Sequence, residues 1–227
     1  MLRTRSVAGL AISAFAAAAA LPAVLSTGAS AQTVFNYSSF IPWQHQVNVA
    51  IYVKWIDAVE KATNGRVKFR KLPKPVASPP AHFNAVRTGQ ADAAFTVHDY
   101  LPGRFYMYSF AQLPFGGEDA VVTSLALWRT HKKFFDEEKL YRGVKLIGMN
   151  THGPGQIFHR TKFIKMPSDI KGQKIRVGGP IPRAVVAAWG GVPVRQPVTK
   201  SYELLSTGVV DGITFPYEAL VGFKIVN

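Results

Sequence analysis

The stretch that decides the fold reads PSDIKGQKIRVGGP and occupies residues 167–180. Its KIRV segment, residues 174–177, predicts a short strand. Because side chains alternate between the two faces of a strand, Ile175 and Val177 are expected to point into a core and Arg176 to point the other way. An arginine flanked in this way is expected to face a cleft or to cross a boundary between lobes.

The chain on either side alternates short strand-like runs with helical patterns, which indicates an α/β protein with largely parallel sheets. Directly after KIRV, Pro182 lies near the start of a predicted helix, and Gly190 and Gly191 end it. The predicted strands occupy residues 33–37, 67–69, 91–97, 144–149, 174–177 and 192–194. The other predicted helices occupy residues 45–62, a short segment around Phe83 and Val86, 118–131 and 199–207.

The predicted helix over 45–62 carries an apolar residue at every third or fourth position, which is typical of one buried face. Asn64 and Gly65 follow it and are expected to end it in the left-handed conformation. The members of the apolar face are Val47, Ile51, Trp55, Ala58 and Ala62.

The N-terminus has the order of a secretory signal peptide. Arg3 and Arg5 form a basic start, an apolar run over 7–25 follows, and Ala29-Ser30-Ala31 is a cleavage site of the A-x-A type. The alternative is an uncleaved anchor, but the run is barely long enough to span a bilayer and contains a proline. We therefore expect cleavage after Ala31, export to the periplasm, and a mature chain that is not inserted in the membrane.

Composition excludes several classes of protein. The chain contains no cysteine, so thiolate catalysis, Cys-ligated metal and a lipid anchor on cysteine are excluded. Without Arg3 and Arg5, the remaining 25 basic residues face 13 acidic ones, a net charge of +12. The basic residues are spread along the chain, and an exported protein meets no chromosome, so no nucleic-acid partner is predicted. Either a solvated basic surface or a field that attracts small anions explains the charge.

Enzyme signatures are absent from the sequence, which contains no G-x-S-x-G elbow, H-E-x-x-H, P-loop or dinucleotide fingerprint. His152 and His159 are seven residues apart without a nearby carboxylate, which is a poor metal spacing. We therefore predict no catalytic residue, no metal and no cofactor. A periplasmic hydrolase on a similar α/β frame, with one of the six histidines as its base, is the alternative.

Several stretches spread over the mature chain form a set. They are EKATNGRV at 60–67, AVRTGQAD at 85–92, PGRF at 102–105, LPF at 113–115, PSDIKG at 167–172, KIRV at 174–177, YELL at 202–205 and GVVDG at 208–212. In this order and spacing they resemble the substrate-binding proteins of TRAP transporters, the DctP-like family. The resemblance implies two α/β lobes around a ligand cleft that closes like a hinge. It also implies capture of a small organic carboxylate and its delivery to the permease subunits in the membrane.

The resemblance also divides the chain. It implies a signal peptide (1–31), lobe I (32–151), lobe II (152–212) and a segment that returns toward lobe I (213–227). Family members continue past the Asp211-Gly212 step, so we expect an incomplete second crossing and a C-terminally truncated chain. Such a chain is expected to expose apolar surface that relatives bury. A non-functional truncated product is a further alternative.

Arg176 is the residue most strongly indicated as a ligand contact. Its guanidinium can match a carboxylate with two parallel hydrogen bonds, which a lysine cannot reproduce. The resemblance implies that the arginine of this motif clamps the substrate carboxylate. A surface arginine on an edge strand is the alternative.

Further residues are candidates for the cleft. Trp43 and His45 follow the first strand, at the end where α/β sheets place ligands, although Trp43 can equally belong to the core. His152 and Gln156 could hydrogen-bond to a ligand from a Gly-Pro segment that can equally be a plain turn. The remaining candidates are Tyr100, Phe215 and Tyr217.

The type of acid is indicated by two departures from the family pattern. Gly155 stands where many relatives carry an arginine, and Phe215 aligns with an asparagine. Losing both removes donors that a dicarboxylate or sugar acid needs, at about 1–3 kcal/mol for each unpaired buried group. Phe215, with Tyr217 and Trp43, offers apolar area instead. We therefore expect a monocarboxylate with an apolar body, such as an aromatic or branched 2-oxo acid.

Overall fold

The computed structural model describes residues 31–135 and 137–226, apart from the side chains of residues 137 and 138. The predicted signal peptide occupies residues that lie outside this description. The chain from Gln32 onward forms one compact unit built on two sheets with helices around them. This architecture confirms the predicted α/β fold class.

The first sheet contains three parallel strands. They are β1 (Thr33–Ser38), β2 (Val67–Lys71) and β3 (Ala93–Ala94), in the order β2-β1-β3. The predicted strand over 91–97 is wrong in length, since only two of its residues are paired. Its register explains why: β3 pairs with Tyr37 and Ser38, the last residues of β1, so the ladder stops where β1 stops.

The second sheet contains four strands. They are β4 (Gln156–His159), β5 (Lys174–Val177), β6 (Val192–Arg195) and β7 (Gly212–Phe215), in the order β4-β7-β5-β6. β5 pairs in parallel with both β6 and β7, whereas β4 pairs antiparallel with β7. The predicted parallel character therefore holds except at one antiparallel edge, and neither β4 nor β7 was predicted.

The β5 strand carries the two faces that its sequence predicts. Ile175 and Val177 are fully buried and pack with Ile170 and Val186, which confirms the inward face. Arg176 lies on the opposite face, yet it is only 3% exposed. The second sheet is therefore covered on both sides at this point.

Helices connect and cover the strands. The α-helices of the described residues are α1 (Lys54–Ala62), α2 (His82–Arg87), α3 (Pro102–Phe105), α4 (Ala120–Phe134), α5 (Glu137–Leu140), α6 (Pro180–Ala188), α7 (Ser201–Ser206) and α8 (Tyr217–Gly222). The carboxylate of Asp119 accepts hydrogen bonds from the Val121 and Val122 amides and so begins α4. The acidic start of the predicted 118–131 helix is thereby explained.

The predicted helix over 45–62 has a different buried face from the one expected. A π-helical segment, Asn48–Val53, precedes α1. Asn48 and Ile56 are buried, whereas Ile51 of the expected face is 40% exposed. The wider π-helical turn changes the angular spacing of side chains, and the buried Asn48 amide is held by two carbonyls of the preceding loop. Because of both features, the face of the helix that packs on the core differs from the face that the periodic pattern predicts.

The predicted strand over 144–149 is wrong, because this segment is irregular. Val144, Leu146 and Met149 pack against a buried aromatic cluster, while Ile147 is 62% exposed. Apolar packing therefore accounts for the hydrophobic pattern. Among the described strands, none runs alongside the segment to complete a hydrogen-bonded ladder.

Candidate functional site

The guanidinium of Arg176 is buried on the central strand β5. Its Nε donates to the Gln196 carbonyl at 2.9 Å, and its Nη1 contacts the Thr214 carbonyl at 3.4 Å. Its Cζ lies 5.3 Å from the centroid of the Phe215 ring. A guanidinium carries five N–H donors. The protein contacts therefore leave donors for a further acceptor.

Tyr100 reaches this guanidinium from the preceding half of the chain. It ends a short 3₁₀ helix, His98–Tyr100, and its hydroxyl interacts electrostatically with the Arg176 guanidinium. The same hydroxyl accepts a hydrogen bond from the Val198 amide at 3.0 Å. The structure thus brings together three of the predicted residues, namely Arg176, Tyr100 and Phe215.

A cavity of about 260 Å³ has two aromatic rings in its lining, and each of them lies near one ring of this group. The Phe40 ring in its wall lies 6.1 Å from the Tyr100 ring, measured between centroids. The Phe223 ring, also in its wall, lies 6.0 Å from the Phe215 ring. The cavity is lined by Phe40, Pro42, Thr199, Gly222, Phe223 and Lys224.

Trp43 and His45 pack in the loop after β1. The Trp43 indole donates to the Leu72 carbonyl at 2.7 Å, which is the core role considered as its alternative. His45 is 4% exposed, and its ring lies 4.8 Å from the Phe223 ring. Burial lowers the pKa of His45, and the nearby Glu218 carboxylate partly raises it. His45 therefore supports the cavity wall, and a ligand contact for either residue stays a prediction.

His152, Gln156 and Tyr217 lie at the surface. His152 hydrogen-bonds to a neighbouring carbonyl at 2.6 Å. Gln156 begins β4, opposite Phe215 in the register, and is exposed. Tyr217 is 66% exposed. The structure shows no hydrogen bond or ring contact between these described side chains and Arg176, so their ligand roles stay predictions.

Asp99, next to Tyr100, was missed by the sequence analysis. Its Oδ1 accepts a hydrogen bond from the side-chain amide of Gln112, and its carbonyl accepts one from Arg195 Nη2 at 2.9 Å. A Cβ at Gly179 would overlap the Asp99 carboxylate. The Gly-Gly pair after KIRV was the one available signal that another group approaches closely there.

Burial dominates the electrostatics of these groups. It lowers the pKa of Arg176, which Tyr100 and Asp99 raise again. It raises the pKa of Asp99, which the hydrogen bond from Gln112 and the positive charges nearby lower. In the part of the chain that the structure describes, no carboxylate forms an ion pair with Arg176. Since buried charges are normally paired, the arrangement favours an anionic ligand.

The described residues contain neither a metal-binding cluster nor a membrane-spanning helix. No group of three or more His, Asp or Glu side chains there could hold a metal ion. None of the helices described is long and apolar enough to cross a membrane.

The chain matches one known protein family over most of its length. The model of the bacterial extracellular solute-binding proteins, family 7 (DctP), matches residues 38–227. The chain belongs to this family, as its motifs predicted. Members of the family are solute-binding proteins outside the cytoplasm and not enzymes.

The chain is also similar to individual proteins. Outer membrane transporter protein TsaT of Comamonas testosteroni is 30% identical over 92% of this chain and 61% of its own length. A TRAP periplasmic solute-binding protein from Bordetella bronchiseptica, solved with (R)- and (S)-mandelate, is 44% identical, with a TM-score of 0.82 over 85% of this chain and 61% of that one. A marine metagenome TRAP solute-binding protein specific for aromatic acid ligands, solved with 3-hydroxybenzoate, is 30% identical, with a TM-score of 0.81 over 86% and 61%. The chain thus spans about 61% of the length of these relatives.

Proposed function

We propose that this chain is the periplasmic receptor of a TRAP-type transport system, which captures an aromatic monocarboxylate and delivers it to the membrane permease. The observation that carries the proposal is the guanidinium of Arg176. It is 3% exposed, and it contacts two carbonyls and one aromatic ring but no carboxylate among the described residues. A ligand carboxylate would supply the missing counter-charge with two parallel hydrogen bonds.

The cavity supports a small aromatic body for the ligand. Its volume of about 260 Å³ lies just below the roughly 300–1,000 Å³ typical of ligand pockets, which favours a small ligand. Its two aromatic rings, Phe40 and Phe223, can pack on a phenyl ring, and the polar side chains in its lining are Thr199 and Lys224. Relatives solved with mandelate and 3-hydroxybenzoate support the same class of ligand. The expectation drawn from Gly155 and Phe215 points in this direction too.

The two-lobe division belongs to the same proposal, with lobe I over 32–151, lobe II over 152–212 and a returning segment over 213–227. Tyr100 contacts the Val198 amide, and Arg195 contacts the Asp99 carbonyl, so both contacts cross the proposed boundary. Closure around a ligand would tighten such contacts.

Processing after Ala31 completes the proposal, because it would release the mature chain into the periplasm. Mass spectrometry of the exported protein tests it directly. An N-terminal peptide that begins at Gln32 is expected, and a retained N-terminal segment would contradict the cleavage.

A calorimetric comparison of acids tests the receptor function. Mandelate and benzoate are expected to bind more tightly than succinate and glucuronate, since only the first two carry a phenyl ring that can pack on Phe40 and Phe223. Preference for succinate or glucuronate would overturn the aromatic assignment. Turnover of an ester panel, without binding of free acids, would instead support the hydrolase alternative.

A further inference from the structure

Asp99 and Gln112 form a polar pair near the Arg176 guanidinium. The Asp99 carboxylate accepts a hydrogen bond from the Gln112 amide and interacts electrostatically with Arg176, Arg195 and His152. Asp99 also precedes Tyr100, whose hydroxyl interacts electrostatically with the same guanidinium. A cation and an anion therefore stand next to each other without forming a closed ion pair in the described structure.

Gln112 presents an unused acceptor in this pair. Its Nε2 donates to Asp99 Oδ1, and this contact determines the orientation of the amide. Its Oε1 is then left buried without a hydrogen-bond partner among the described residues. Buried acceptors are normally satisfied, so this oxygen indicates a place for a donor that the protein itself does not supply.

The Asp99 carboxylate is fixed in position rather than free to swing away. Its backbone carbonyl is held by Arg195 Nη2 at 2.9 Å. Its side chain lies against Gly179, where any Cβ would overlap it. A carboxylate held in this way presents a hydrogen-bond acceptor at the edge of the site.

We propose that Asp99 and Gln112 determine ligand specificity, by selecting acids that carry one carboxylate for Arg176 and a hydroxyl donor beside it. The inference rests on the proposed function and deepens it. A ligand hydroxyl would donate to Asp99 or to the Gln112 Oε1, both of which accept. A second ligand carboxylate in the same place would face Asp99 at close range, and like charges repel strongly where water is excluded.

Three acids with a common phenyl ring test the selection in the full chain. Mandelate has one carboxylate and a hydroxyl, phenylacetate lacks the hydroxyl, and phenylmalonate has a second carboxylate in its place. Calorimetry is expected to show mandelate binding about tenfold more tightly than phenylacetate, the size of one hydrogen bond to a charged group. Phenylmalonate is expected to bind more weakly than either.

The Asp99→Asn variant is the direct probe, with Asp57→Asn on an exposed position of α1 as the matched control. D99N keeps the size of the side chain and removes its charge, so it should bind phenylmalonate at least about tenfold more tightly than the parent does. Its preference for mandelate over phenylacetate should fall to within about threefold. D57N should keep the parental ranking.

Gln112→Ala gives a second probe in case D99N folds poorly. It removes the unused acceptor and should reduce the preference for mandelate over phenylacetate. Equal binding of mandelate and phenylacetate by the parent, or an equal effect of D99N on all three acids, would overturn the specificity role. If no acid binds at all, the proposed function fails instead, so the two failures can be told apart.

Discussion

The guanidinium of Arg176 lies over the ring of Phe215, with Cζ 5.3 Å from the ring centroid. Phe215 is 3% exposed, so the ring is a fixed surface of the core. Such cation–π contacts contribute about 0.5–2 kcal/mol, less than a buried charge needs to replace its hydration. The ring therefore orients the guanidinium, and most of the stabilisation of its charge is expected to come from a bound anion.

Replacement of Arg176 by alanine should weaken ligand binding by about 2–5 kcal/mol, because the ligand carboxylate would be left buried and unpaired. Arg176→Lys should recover only part of this loss, since lysine cannot form two parallel hydrogen bonds. Calorimetry with mandelate measures both. Arg183→Ala, on an exposed position of α6, is the control and should bind like the parent. Affinity of R176A within about threefold of the parent would contradict the assignment.

Tyr100→Phe should destabilise the fold by about 1–3 kcal/mol, because it leaves the Val198 amide without its acceptor. Urea denaturation measures this as a lower free energy of unfolding. Tyr202→Phe removes a hydroxyl from a residue that is 57% exposed and should change little. Equal stability of the two variants would show that water replaces the Tyr100 hydroxyl without cost.

Gly179→Ala should displace Asp99, because the added Cβ would overlap its carboxylate. The backbone itself is no obstacle, since Gly179 has a φ of −144° that alanine adopts freely. We expect altered ligand selectivity with a folded protein, measured with the same phenyl acids. Gly148→Ala is the control, because a Cβ there meets nothing within 4 Å. Unchanged selectivity in G179A would mean that Asp99 moves aside without consequence.

Acid should destabilise the protein through His98. Its Nε2 hydrogen-bonds to the Tyr141 hydroxyl at 2.7 Å and its ring stacks on Tyr108, with centroids 4.6 Å apart. Burial, with a smaller effect of His131, lowers the pKa of His98 from 6.5 to about 4. Between these two values the unfolded chain binds a proton that the folded chain does not. The contribution of neutral His98 to the free energy of unfolding is therefore complete above pH 6.5. It falls by roughly 3 kcal/mol as the pH drops to about 4.

Urea denaturation between pH 4 and pH 7 measures this dependence. The free energy of unfolding of His98→Gln should depend less steeply on pH than that of the parent. His152→Gln removes an exposed histidine and should keep the parental slope. Identical slopes for the parent and H98Q would assign the acid sensitivity to other groups.

Local signals in the sequence predicted local structure well. Asp119 marks the start of α4 because a cap depends on the next three amides alone. Asn64 and Gly65 end α1 with φ values of 49° and 74°, which is the left-handed ending that their residue types favour. The β4 and β7 strands were missed because they pair with each other across more than fifty residues and no cap or turn next to either one marked it.

The residues of the candidate site also differ in whether the sequence could predict them. Arg176 could be found from its residue type and from the buried residues on each side of it in a two-residue period. Asp99 could not be found, because its place depends on how a loop before α3 meets Gly179 at the start of α6. No spacing within one element contains that information.

The strand order of the second sheet also sets an order of folding. The first sheet needs only residues 33–94, so a chain that emerges N-terminus first can complete it early. β4 can join its sheet only through β7, which lies more than fifty residues later. Until β7 has been synthesised, β4 has no partner strand in its sheet and its backbone is available to pair with other chains. Slow emergence of the last strand should therefore promote aggregation, and variants that weaken β7 should show it before they lose their first sheet.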